Sequence, residues 1–375
     1  MSRLKQGAQN ALLVILSLAL CFGALEVFLR LRTYIHPPPQ TRAVLPPAAL
    51  SHAGIELPDP PADLIALNAS RNALLTMPDE WKRRPATVPG AAHAEYWHGV
   101  LHVYDANGFR FSGPIPLKRD GIYRVMVVGD SSTYGYAIEE RFRFSSLVEQ
   151  WLGRDFNIEL VNLGAAGQQS EDILAAIRKF RPVLKPDLVL YIASPNDFLP
   201  SGVGQYSYAG YDFPLPDAVK KYLIKHTLAG AFINELYDDT LRTLRLRTNF
   251  YDDILKDFAG YQVRFRRDVA SMNREVTAAG LPPLVAMVID QYPTYGGRGH
   301  QIARAAERYL TDAGAKVIPI EDYYRKFSRR PMKVSKWEGH PDEMAHWIWA
   351  QMIETEIRGR KDLGPFAKSS GDNSR

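Results

Sequence analysis

At 375 residues the chain is long enough for one α/β catalytic domain with appendages, or for two average domains. Its 46% hydrophobic and 23% charged residues are those of a globular protein able to build a sizeable core. The net charge of +5 favours anionic surfaces or substrates, but no zinc-finger spacing and no RNP-type aromatic motif accompanies it, so no nucleic-acid partner is expected. The single cysteine, Cys21, excludes an intramolecular disulfide. Carboxylates and histidines are too dispersed to argue for a metal site, and no cofactor is implied.

The first 35 residues read as a membrane anchor. Arg3 and Lys5 precede an uncharged run from Ala11 to Leu25, which continues past Glu26 through Val27-Phe28-Leu29. That is roughly the 20 residues a helix needs to cross a bilayer. Glu26 and Arg30, four apart, can pair where the helix emerges. Phe22-Gly23-Ala24 makes a poor signal-peptidase site and Leu20 is too large for a lipoprotein signal, so an uncleaved anchor is expected. Arg30 and Arg32 partly balance Arg3 and Lys5, and the bulk is expected outside the cytoplasm.

Residues 36–120 read as a Pro-rich spacer followed by lead-in strands. His36-Pro37-Pro38-Pro39 opens a stretch to about Pro89 with little regular structure expected, because proline fixes φ and removes donors. Tyr96–Tyr104 has strand character, and Asp105-Ala106-Asn107-Gly108 is a turn. From 121 to 362 the pattern becomes regular. Strands are expected at Arg124–Val128, Ile158–Leu163, Asp187–Ala193, Leu284–Ile289 and Lys316–Ile320. Helices are expected near Phe142–Leu152, Glu171–Phe180, Ile302–Ala313 and Glu343–Ile357. A mainly helical insertion occupies about 200–280, and a polar tail follows at 363–375. This alternation predicts an α/β fold: a doubly wound, flavodoxin-like parallel sheet with helices on both faces, a helical insertion and one N-terminal transmembrane helix. Ligands of such sheets bind at the carboxyl ends of the strands.

Four motifs follow successive strands. In Gly129-Asp130-Ser131-Ser132, Ser131 sits where a buried strand gives way to a loop, although such residues also form helix caps. Its hydroxyl needs a base to become a nucleophile. Asn162-Leu163-Gly164-Ala165-Ala166-Gly167 can bring a backbone N–H to an oxyanion or simply make a tight turn. Asn196, in Ser194-Pro195-Asn196-Asp197, offers a neutral amide donor, or ordinary turn chemistry. His340 lies just before the last helix with Glu338 upstream and Asp342 downstream, either of which could orient an imidazole. His346, inside the helix, reads as a packing residue.

The ordered set Ser131, Gly167, Asn196 and His340 resembles the SGNH, or GDSL-type, hydrolase superfamily over roughly Tyr123 to Arg360. Asn107-Gly108-Phe109-Arg110 is similar to the lead-in of its bacterial membrane-anchored members. The resemblance implies Ser131 as nucleophile and His340 as base. It implies an oxyanion hole from the N–H groups of Ser131 and Gly167 with the Asn196 side chain. Two departures stand out: Ser194 replaces the usual Gly before Asn196, and the triad acid is Glu338 in place of Asp. The expected activity is hydrolysis of an ester through an acyl-serine, with acetyl removed from an envelope glycan or lipid on the periplasmic side of a bacterial inner membrane. Two alternatives stay open. One is an O-acyltransferase acting with a membrane-bound acyltransferase partner, and the other a catalytically degenerate binding or scaffold protein. The cations Arg242, Arg245, Arg247, Arg264, Arg266, Arg267, Arg325, Lys326, Arg329 and Arg330 read as solvated faces.

Overall fold

The structure, a computed structural model, describes residues 2–35, 61–74, 77–110, 117–202, 215–244, 246, 250–289, 298–318, 332–335 and 337–368. Most of the expected spacer (36–60), the loop cations Arg325, Lys326, Arg329 and Arg330, the pair Arg245 and Arg247, and the end of the tail (369–375) lie outside the described residues. The chain divides into two compact units, one of residues 1–41, 73–78 and 207–249, the other of 42–72, 79–206 and 250–375.

The larger unit is built on five parallel strands: β4 (Tyr123–Gly129), β5 (Ile158–Asn162), β6 (Leu188–Ala193), β7 (Val285–Val288) and β8 (Lys316–Ile318). Their spatial order is β5-β4-β6-β7-β8, the doubly wound order with its switch point between β4 and β6. Central strands buried on both faces need apolar residues throughout, and β4 and β6 are buried along their whole length. Alternate β4 residues therefore face different layers. Tyr123, Val125 and Val127 join a core with Phe144, Val148 and Trp151 of α4 (Phe144–Leu152) and Ile348 and Ile353 of α11 (Glu343–Arg358). Met126 and Val128 face α5 (Ser170–Leu184), α9 (Phe258–Ala278) and α10 (Arg298–Asp312) through Ile173, Ile177, Val269 and Ile302.

Two local readings are corrected and a third, the strand character of Tyr96–Tyr104, is refined. Helix α9, expected as the end of the insertion, is the crossover between β6 and β7. Its Phe265, Val269, Met272 and Val276 recur at helical spacing and are buried against the sheet. A helix, α2 (Ala62–Ala73), stands in the segment read as an irregular spacer. Pro61 lies just outside it, where proline is compatible with a helix start, and Leu64 is buried in the core while Arg71 Nη1 meets Glu343 Oε2 at 2.5 Å. The Tyr96–Tyr104 segment is a hairpin, with β2 (His93–Trp97) and β3 (Val100–Tyr104) joined at His98-Gly99. Both turn residues have positive φ, 51° and 75°, as a two-residue turn matching strand twist requires. With β1 (Arg84–Ala86) the hairpin makes a separate three-stranded sheet.

In the smaller unit, α1 (Ser2–Ile35) contains Gln9–Arg32, long and apolar enough to cross a membrane, with a mean hydropathy of 2.6. It accompanies α6 (Asp217–His226) and α7 (Leu228–Thr243). Glu26 bonds Arg30 at 2.6 Å and accepts from the Ala229 N–H, at the start of α7, at 2.7 Å.

Candidate active site

Ser131 is the first residue of α3 (Ser131–Tyr134), a single turn directly after β4. Asp130 caps it, its Oδ1 accepting from Ser132 N at 2.8 Å. The capping reading of this motif and the nucleophile reading are thus compatible, because Asp130 caps while Ser131 points elsewhere. Gly129 permits the sharp exit from the strand: a Cβ there would stand 2.0 Å from Thr133 Oγ1 and 2.7 Å from Ile192 O. The far end of α3 is held by two buried arginines. Arg110 Nη1 donates to Gly135 O at 2.8 Å and Arg143 Nη1 to Tyr134 O at 3.4 Å. Cations at the carboxyl end satisfy carbonyls that a short helix leaves open.

His340 Nε2 lies 2.8 Å from Ser131 Oγ, and its Nδ1 contacts Glu338 Oε1. Both belong to β10 (Glu338–Pro341), which pairs antiparallel with β9 (Lys333–Ser335). Residues two apart on a strand share a side, which lets Glu338 reach back to the imidazole beside it. The second carboxylate oxygen accepts from Trp97 Nε1 at the end of β2, and Oε1 also takes the His340 N–H at 3.2 Å. Burial alone would push the Glu338 carboxyl up, but hydrogen bonding and charge from His340 and the bond from Trp97 outweigh it. Its pKa is pulled down to about 2. Glu338 is therefore ionised at neutral pH and favours the tautomer with the proton on Nδ1, leaving the Nε2 lone pair for the serine proton. The Tyr136 ring packs 4.9 Å from the imidazole.

Behind Ser131 a buried polar network joins the other motifs. Ser194 Oγ donates to Asp130 Oδ2 at 2.9 Å and touches Asn196 Oδ1. Ser194 thus supplies a hydroxyl that connects Asp130, the capping residue before Ser131, to Asn196. Asn196 Nδ2 reaches Gln168 O at 3.4 Å, bringing it beside the Gly167 turn, where a φ of 78° favours glycine. Asp197 accepts from Tyr191 Oη at 2.6 Å and from Ser194 N at 3.0 Å. Burial, reinforced by the neighbouring Asp130 charge, holds the Asp197 carboxyl well above its usual range.

Four of these partners were not singled out from sequence as site residues: Trp97, Tyr136, Arg110 and Arg143. Arg110 ends the Asn107–Arg110 lead-in, a hint to its importance without its task. Nothing near Trp97 in the sequence points to residue 338. His346 sits in the core, Nδ1 accepting from Phe144 N at 3.2 Å with its ring stacked on Phe144. Asp342 caps α11 through Ala345 N at 3.0 Å, so Glu338 is the acid that meets His340. Among the described residues no three or more His, Cys, Asp or Glu side chains converge as a metal site.

No family model matches the chain, and no curated protein does. Several solved structures are similar to it. TesA shares 16% identity with a TM-score of 0.40, over 64% of this chain and 99% of that one. An acetylxylan esterase from Geobacillus stearothermophilus shares 14% at 0.39, over 64% and 95%. The SGNH-hydrolase family esterase AlinE4 shares 15% at 0.34, over 57% and 83%.

Proposed function

We propose that the chain is a serine ester hydrolase working through an acyl-Ser131 intermediate. The observation that carries this reading is the Ser131 Oγ to His340 Nε2 contact of 2.8 Å, backed by ionised Glu338. His340 takes the hydroxyl proton as Oγ attacks the ester carbonyl, then returns it to the departing alcohol. Water, deprotonated by the same imidazole, attacks the acyl carbonyl and releases the acid with Ser131 restored. Through both halves the Glu338 carboxylate orients the ring and stabilises its charged form. The tetrahedral oxyanion would take N–H bonds from Ser131 and Gly167 and the Asn196 amide.

The substrate we favour is a small acyl ester, such as acetyl on an envelope glycan or lipid, met by a protein tethered through α1 with its catalytic unit on the periplasmic face. The apolar 9–32 helix supports the tether, and the basic net charge suits an anionic envelope.

The test is covalent labelling with a fluorophosphonate alongside turnover of an aryl acetate. Labelling should map to Ser131 and vanish in His340→Ala, and Ser131→Ala should lower turnover by about 10⁴-fold or more. Unchanged turnover in Ser131→Ala overturns the assignment. Adding an acetylatable glycan as acceptor reads the fate of the acyl group: acetylated glycan in place of free acetate would make the chain a transferase.

A further inference from the structure

The smaller unit contains an apolar face that its own helices leave uncovered. Helices α6 and α7 form a hairpin closed at Thr227, whose N–H donates to Leu223 O at 2.9 Å. The corner is tight: a Cβ on Gly230 would stand 2.6 Å from Leu223 O. On α6, Val219 and Tyr222 are 45% and 63% exposed, and Leu215, one turn before Val219, is exposed as well. Positions 219 and 222 fall on one side of α6, and Leu215 lies just before its start. The His226 ring lies 4.7 Å from that of Tyr222, tilted by 41°, extending the same face. The sequence of α6 also holds Lys220, Lys221 and Lys225 against one acid, Asp217.

The position of this hairpin along α1 says what covers it. Glu26 accepts from the first turn of α7 at Ala229 N, and Leu29, one turn beyond Glu26, is buried. Before Glu26, the chain is uncharged from Gln6 to Leu25, about the 20 residues that span a bilayer. Within that stretch Leu12 to Leu16, Leu18 and Leu20 are all exposed, so they remain free for lipid. Glu26 and Arg30 are the first charges after that stretch, so Glu26 stands toward the outgoing end of the apolar 9–32 span, and the α6–α7 corner fastened to it stands at the same level.

We infer that the α6–α7 hairpin is a membrane-surface foot, seating Leu215, Val219 and Tyr222 in the headgroup boundary of the bilayer that α1 crosses. This inference rests on the anchor reading of α1. Its composition matches the partner: aromatic and aliphatic groups enter the boundary while lysines meet anionic headgroups. The foot holds the outgoing chain at the surface and so keeps the hydrolase unit near membrane-borne esters.

The native Cys21 makes the two readings separable. In full-length protein reconstituted into vesicles of phosphatidylethanolamine and phosphatidylglycerol, a fluorophore on Cys21 reports the anchor. A fluorophore on Tyr222→Cys or Val219→Cys, each in a Cys21→Ser background, reports the foot. The expected result is quenching of the Cys21 probe by nitroxides deep in the acyl chains. The 219 and 222 probes should be quenched several-fold more strongly by nitroxides high on the chain than by aqueous iodide. In the Lys220→Glu, Lys221→Glu, Lys225→Glu background that shallow quenching should fall several-fold. A Cys21 probe buried in the bilayer with both foot probes open to iodide overturns the foot alone. A Cys21 probe that deep nitroxides do not quench overturns the anchor, and the foot with it.

Discussion

Glu338 shows how one side chain is made competent by neighbours from distant parts of the chain. One oxygen faces His340, two residues away on the same strand, and the other takes the indole N–H of Trp97, from the small sheet. Glu338→Gln should lower kcat by about 10³- to 10⁴-fold with little change in KM, because the imidazole loses both its orientation and its countercharge. Trp97→Phe removes one hydrogen bond while keeping a ring, and the expected loss in kcat is about tenfold. Steady-state kinetics on one ester substrate reads both. The same carboxyl has a stability signature. Its folded-state value of about 2 lies below the usual 4.5, so its contribution is present above about 4.5 and disappears as pH falls through about 2. Urea unfolding of wild type and Glu338→Gln across that window should show a gap, on the order of 3 kcal/mol at most, that closes toward the acid end.

At the scale of elements, Ser131, the proposed nucleophile, depends on a one-turn helix that could not persist alone. Helix α3 is held by Asp130 at its start, by Arg110 and Arg143 at its end, and by the close approach of the β5 exit loop. A Cβ on Gly164 would stand 2.3 Å from Tyr134 N, a contact with backbone that no rotamer can relieve. Gly164→Ala is therefore expected to destabilise by about 1–3 kcal/mol, seen as a lower denaturant midpoint, and to reduce fluorophosphonate labelling of Ser131. The central strands β4, β6 and β7 are readable because burial on both faces demands a mainly apolar run, broken only by Arg124 in β4. Helix α9 was assigned to the insertion because its stripe of Phe265, Val269, Met272 and Val276 is the same for any helix with one covered face. What it covers is a matter of topology. The His98-Gly99 turn is less legible for another reason, since His-Gly is not among the Asn-Gly and Asp-Gly pairs that signal a two-residue hairpin turn.

For the molecule as a whole, there are two compact units: one contains the apolar helix and the α6–α7 hairpin, the other the sheet with Ser131, His340 and Glu338. If α1 crosses a bilayer as proposed, the full chain should stay with membranes through high salt and alkaline carbonate and leave only with detergent. Removing residues 2–35 should free it from membranes while leaving kcat toward a soluble aryl acetate near the wild-type value. Sedimentation of both forms, with activity in each fraction, is the measurement.

The sequence by itself determined the parallel sheet, the order of its strands along the chain, the apolar amino-terminal helix and the residue types at Ser131, Gly167, Asn196, Glu338 and His340. These are local properties: hydrophobic period, turn chemistry and the functional groups available at strand ends. Tertiary structure alone decided which acid meets the imidazole, with Glu338 on the shared side of β10 and Asp342 turned to capping α11. It alone brought Trp97 to Glu338, put Ser194 between Asp130 and Asn196, and set Arg110 and Arg143 against the end of α3. The Trp97–Glu338, Ser194–Asp130 and Arg110–Gly135 contacts join positions 241, 64 and 25 residues apart. Their partners are chosen by the packing of whole elements, which no pattern around either residue encodes.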